Sequence, residues 1–119
     1  VQFFFIWNDL LLGRSGNDLL NGVSGDDRLA GGSGTDRLIG GSGNHTFVFG
    51  RDYDNDTVID FTAGADKIDL RSFGFGSMAK LAEAAKVTTG INMLDLDFGS
   101  GDRLSVYGIS KLDQAHFIV

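Results

Sequence analysis

Aspartate recurs in this chain at intervals of nine residues, at Asp9, Asp18, Asp27 and Asp36. Short carboxylates repeated on tight turns suit hard cations, which take oxygen ligands. Of the 16 acidic residues only Glu83 is a glutamate. That bias is not a solubility device, because glutamate serves a solvated helix face better than aspartate. The bland alternative for each aspartate is a turn in which the side chain caps its own backbone. The regular spacing favours ligation.

The elements that must position these carboxylates are legible around them. Four blocks run without a gap from Gly13, Gly22, Gly31 and Gly40, each a glycine-rich turn followed by a three-residue strand. A fifth, partial block is Asn8-Asp9-Leu10-Leu11-Leu12, with Phe4, Phe5, Ile6 and Trp7 in place of its glycine half. The middle strand residue is Leu11, Leu20, Leu29, Leu38 or Phe47, and it is expected to point inward. One turn and one strand per block mean that two blocks complete a coil, so residues eighteen apart stack in one parallel sheet.

Asp18 and Asp36 then form one carboxylate row, and Asp9 and Asp27 form another on the opposite edge. At about 5 Å and an effective dielectric of about 20, each stacked pair costs on the order of 3 kcal/mol, which a marginally stable domain cannot ignore. A cation between turns reverses the sign. Calcium suits the gap, since it accepts six to eight oxygens in loose geometry. The turn glycines Gly16, Gly25, Gly32, Gly34, Gly41 and Gly43 let backbone carbonyls aim inward beside the carboxylates. Magnesium demands tighter geometry, and zinc wants His or Cys ligands that this ladder lacks.

The blocks resemble the G-G-x-G-x-D-x-U-x repeat of RTX, or haemolysin-type, calcium-binding proteins. Beyond them, Asn55-Asp56-Thr57-Val58-Ile59-Asp60-Phe61, Gly64-Ala65-Asp66-Lys67-Ile68-Asp69-Leu70, Gly101 to Gly108 and the terminal Phe117-Ile118-Val119 are similar to the C-terminal region of serralysin-type and other type I secreted proteins. The resemblance spans residues 8–119 and is densest over 13–70. It implies an all-β fold: a right-handed parallel β-roll of nonapeptide repeats, followed by a β-rich C-terminal cap with one short helix. It further implies roughly two to four calcium ions, export through the type I secretion machinery by an uncleaved C-terminal signal, and folding outside a bacterial cell. A covalently linked upstream domain would carry any catalytic or lytic activity. The chain enters a repeat partway, which points to a piece of a longer protein.

The expected organisation is one module over 1–119, with a calcium-binding roll over 1–56 and a cap, with a possible secretion signal, over 57–119. The candidate ligands are Asp9, Asp18, Asp27, Asp36, Asp54 and Asp56 with the six turn glycines. Asp54 keeps the nine-residue count whereas Asp56 keeps the sequence pattern, so which faces Asp36 is open. His45 replaces Asp in the row of Asp9 and Asp27 and should weaken its last ion site; as a lone His it reads better as a tolerated substitution than as a zinc ligand. His116 stands where the family tail places an acid. Asp26 is expected to be merely solvated, as are Asp95 and Asp97. The aromatic run Phe3, Phe4, Phe5 and Trp7 is expected to cap the roll. Ser77 opens a helix with Met78, Leu81, Ala82 and Ala85 on its packed side. The segment from Ile91 to Phe98 reads as a strand with a bulge.

Composition narrows the function classes. A net charge of -6 and a pI near 4.6, with ten scattered Lys and Arg, exclude a nucleic-acid surface. With no cysteine, stapling by disulfides and thiol catalysis are unavailable. The apolar start is far too short for a membrane span, and no other run qualifies as a transmembrane segment. There is no His-Glu-x-x-His, nucleophile elbow or Walker loop. With these classes set aside, the function that the resemblance implies is calcium-triggered folding in support of the secretion and stability of a larger protein. The alternatives are an adhesion domain, or the end piece of a secreted hydrolase such as a protease or lipase.

Overall fold

The structure is a computed structural model and describes residues 2–3 and 7–119. Its strands are β1 (Gln2–Phe3), β2 (Leu10–Leu12), β3 (Leu19–Asn21), β4 (Arg28–Ala30), β5 (Arg37–Ile39), β6 (Thr46–Val48), β7 (Asn55–Val58), β8 (Lys67–Asp69), β9 (Lys86–Gly90), β10 (Met93–Gly99), β11 (Asp102–Tyr107) and β12 (Phe117–Ile118). One helix, α1, spans Met78–Ala84.

From β1 to β8, odd and even strands separate into two sheets because each block contributes one strand and then crosses over. One sheet runs β12-β8-β6-β4-β2, the other β1-β3-β5-β7-β11-β10-β9. The middle residues stack in register: Leu11 on Leu29, Phe47, Ile68 and Phe117 in the first, and Leu20 on Leu38, Val58 and Val106 in the second. All are buried, so the two facing columns form the core. Each such side chain removed from water contributes roughly 1.5–3 kcal/mol. This is the expected parallel β-roll, and its parallel pairing continues beyond the repeats through β8, β11 and β12.

The cap grows from β11, which adds in parallel to β7, and β10 and β9 follow as antiparallel neighbours. The expected bulge is a register shift between Asp97 and Gly99. Ile91 lies outside the strand, fully exposed in the turn before β10, where Asn92 takes a positive φ of 55°. Ser77 caps α1, its hydroxyl accepting the Lys80 N–H at 3.2 Å. Leu81 and Ala85 are buried below, and Met78 packs against the core; Ala82, expected on that side, is exposed, because so short a helix buries only a narrow stripe. Phe98 stacks on Phe73 at 4.6 Å between centroids, and Phe73 on Phe75 at 5.1 Å.

Two expectations are corrected. Asp95 is buried, not solvent-facing: Arg103 grips its carboxylate at 2.6 Å and the Ser105 hydroxyl donates to it at 2.8 Å. Charge compensation from the adjacent strand is what allows this buried carboxylate. Trp7 is 71% exposed and does not seal the roll. Phe4 and Phe5 lie outside the described residues; of Phe3 the structure describes only the backbone pairing of β1 with β3.

Candidate metal centre

Each aspartate of the repeat sits at the corner where a turn becomes a strand. Asp18 N–H donates to Asp36 Oδ1 at 2.7 Å, and Asp36 N–H to Asp56 Oδ1 at 3.0 Å. On the opposite edge Asp9 N–H donates to Asp27 Oδ1 at 2.9 Å. The aspartates therefore do not cap their own turns. Asp27, Asp36 and Asp56 each reach one coil back along the roll and satisfy a backbone donor there, which fixes the spacing of the rows.

The second carboxylate oxygen has no such use. Oδ2 of Asp9, Asp18, Asp27, Asp36 and Asp56 is shielded from solvent and has no hydrogen-bond partner. Buried polar atoms are nearly always paired, so five orphaned oxygens in two rows are a feature of the fold. Burial, the largest cause, raises the Asp27 and Asp36 carboxyls above the ordinary range, and it pushes Asp56 up to about 8. Neighbouring carboxylates raise each of them further.

The choice between Asp54 and Asp56 is answered by register. Arg37 pairs with Thr57, so Asp56 continues the row of Asp18 and Asp36. Two extra residues are absorbed before β7, where Asp52 and Asp54 both take a positive φ of 62°. The exposed Asp54 carboxylate instead accepts the Gly34 N–H at 2.8 Å.

All six turn glycines hold positive φ. At Gly34 the need is double: φ is 104°, and a Cβ would strike the carbonyl oxygen of Gly16 in the neighbouring coil. The first glycine of each block has a different reason. At Gly31 a Cβ would meet Oδ2 of Asp36, so the missing side chain makes the space that the carboxylate fills.

Sequence reasoning missed several members of the network. Asp26, expected to be idle, accepts the Asn44 N–H at 2.8 Å, and Asn8 and Asn17 likewise accept from Asp26 and Thr35. Residues one before the aspartate thus sew the coils in the opposite direction, a signal present in the Asn and Asp at these positions. Asp60 receives Gly40 and Gly41 N–H, both at 2.8 Å, and Asp102 receives Asp52 and Asp54 N–H, both at 3.2 Å. Asp69 is held by Arg71 and Arg28, whose guanidinium groups keep its carboxyl well below the usual range.

Among the described residues no three carboxylate or imidazole side chains converge tightly enough to hold an ion alone. The donors that would suit a hard cation are orphaned carboxylate oxygens beside glycine-rich backbone, and that chemistry fits calcium better than zinc.

Fold and site together define an RTX-type β-roll. Residues 12–117 match the family described as Peptidase M10 serralysin C terminal, and the chain belongs to that family. It is similar to the AlgE6R3 subunit of the Azotobacter vinelandii mannuronan C5-epimerase, at 26% identity and a TM-score of 0.63 over 95% of this chain and 78% of that one. It is also similar to the extracellular lipase LipA of Serratia marcescens, at 26% identity and a TM-score of 0.58, over 98% of this chain but 20% of the lipase. The AlgE6R2 subunit of the same epimerase shares the fold, with a TM-score of 0.69 at 24% identity over 94% of this chain and 88% of that one. No curated protein matches the sequence. No helix among the described residues is long and apolar enough to cross a membrane.

Proposed function

We propose that this chain is a calcium-binding module that folds on calcium outside the cell and supports the type I secretion and stability of a larger secreted protein. The observation that carries the reading is the set of buried, unpartnered Oδ2 atoms on Asp9, Asp18, Asp27, Asp36 and Asp56. These residues would hold the ions, with carbonyls of the turns at Gly16, Gly25, Gly32, Gly34, Gly41 and Gly43 completing the oxygen set. Asp54, committed to the Gly34 N–H, is a lesser contributor. Bound calcium supplies positive charge within rows of carboxylates that otherwise repel.

The chain's own residues make this a folding switch. Without a cation, the rows carry desolvated carboxylates whose mutual repulsion opposes coiling. Extracellular calcium modules bind at about 10⁻⁴ to 10⁻³ M, so a bacterial cytosol poor in calcium leaves the roll open and an exterior rich in it closes the roll. Export before folding follows from that asymmetry. The relation to an extracellular lipase, of which this chain matches a fifth, supports a covalently linked partner domain and a secreted location.

The test is a calcium titration of the purified chain, followed by circular dichroism and calorimetry with magnesium as control. A cooperative rise in β signal and melting temperature at millimolar or lower calcium, absent with magnesium, is expected. An unchanged signal would reject the reading and favour an interaction domain. That second reading draws on Trp7 and on Leu10 and Leu12 of β2, which expose apolar surface at the outer edge of the five-stranded sheet.

A further inference from the structure

The ladder changes chemistry at position 45. His45 is 1% exposed and stands in the place that the repeat gives to Asp. Its imidazole lies against Gly40 as the Asp18, Asp27 and Asp36 side chains lie against Gly13, Gly22 and Gly31. Nδ1 takes the part of Oδ1, accepting the Asp27 N–H at 3.2 Å, and lies 3.4 Å from Asp27 Oδ2. On the other limb the carbon Cδ2 faces Gly40, where the aspartates turn Oδ2. The other ring nitrogen, Nε2, is buried and without a partner. His45 thus keeps the backbone bond of the ladder but supplies no anionic oxygen.

The next rung is closed in another way. Asp66 accepts the His45 N–H on Oδ1 at 2.9 Å and the Thr62 N–H on Oδ2 at 2.8 Å, so both of its oxygens are used. On the opposite edge Asp18, Asp36 and Asp56 each keep Oδ2 unpartnered. We propose that His45 and Asp66 form a cation-independent end to their edge of the roll, confining ions on that edge to Asp9 and Asp27 while the Asp18, Asp36 and Asp56 edge binds along its whole length. This rests on the calcium reading above and deepens it. The coil nearest the cap holds its rungs on one side without calcium, and offers a preformed base on which the earlier coils order as ions arrive.

The test counts ions on the whole chain by native mass spectrometry across a calcium titration, with calorimetry in chelator alongside. His45→Asp is expected to take up one ion more than the wild type and to melt lower in chelator. Asp66→Asn is expected to keep the wild-type count, and Asp36→Asn to lose at least one ion. A folded His45→Asp chain with the wild-type count, or an Asp66→Asn chain that loses an ion, would overturn the proposal while leaving calcium binding intact. Should His45→Asp fail to fold at any calcium concentration, the Asp66→Asn and Asp36→Asn comparison decides. A wild-type chain that takes up no calcium would sink both this proposal and the reading beneath it.

Discussion

Asp56 Oδ1 accepts the Asp36 backbone N–H at 3.0 Å, twenty residues away rather than the eighteen that separate Asp18 from Asp36. The row survives the insertion because the extra residues loop out at Asp52 and Asp54. Asp56, buried with Oδ2 orphaned, is then the rung at which a desolvated charge costs most.

Asp56→Asn removes that charge while keeping an acceptor for Asp36. In chelator the variant is expected to melt higher than the wild type, and in calcium to gain less. Loss of a carboxylate ligand weakens calcium binding by roughly tenfold or more, about 1.4 kcal/mol. Asp54→Asn, which alters an exposed bond to Gly34, should change calcium affinity far less. Calorimetric titration of the two variants side by side checks the order.

Stability in calcium-free buffer should fall as pH rises. The Asp27, Asp36 and Asp56 carboxyls titrate above their unfolded value, so between about pH 4 and 8 the folded chain binds more protons than the unfolded chain, and raising pH withdraws that stabilisation. Calcium favours the carboxylate and should flatten or reverse the slope. Asp69 and Asp95 act oppositely: arginine holds them low, and their contribution is present above the ordinary carboxylate range and lost on further acidification. Melting temperature against pH, with and without calcium, separates the two.

Asp95→Ala should destabilise the cap by about 1–3 kcal/mol, because the Ser105 hydroxyl and the Arg103 guanidinium lose the acceptor that they share. The effect should be equal with and without calcium, since the pair lies outside the ladder. Urea unfolding in both conditions is the check.

Gly34→Ala should cost more than about 1 kcal/mol, since positive φ and the nearby Gly16 carbonyl both oppose a Cβ. Gly64→Ala isolates the conformational part, because φ is 85° there but no atom crowds the site. The difference between the two melting temperatures measures coil-to-coil contact.

The roll itself was legible because its period is strict: Leu20 on Leu38 and Leu11 on Leu29 follow from counting to eighteen. The partner of Asp36 was not, since counting chose Asp54 and local pattern chose Asp56, and only the looped residues between them decide. Asp95 misled because its alternation with Leu94 and Leu96 places it on the outer face, and the partner that buries it, Arg103, comes from the next strand of a hairpin. Asp66 and Asp102 replace repeat aspartates from beyond the repeats, with no glycine turn of the same length to mark them.

Calcium on the orphaned oxygens is what makes the roll a folding switch. A crystal structure grown in millimolar calcium, with anomalous scattering used to locate the ions, tests it most directly. Ions are expected at about 2.3–2.6 Å from Oδ2 of Asp18 and Asp36. A well-ordered roll in calcium with those oxygens still unliganded would contradict it.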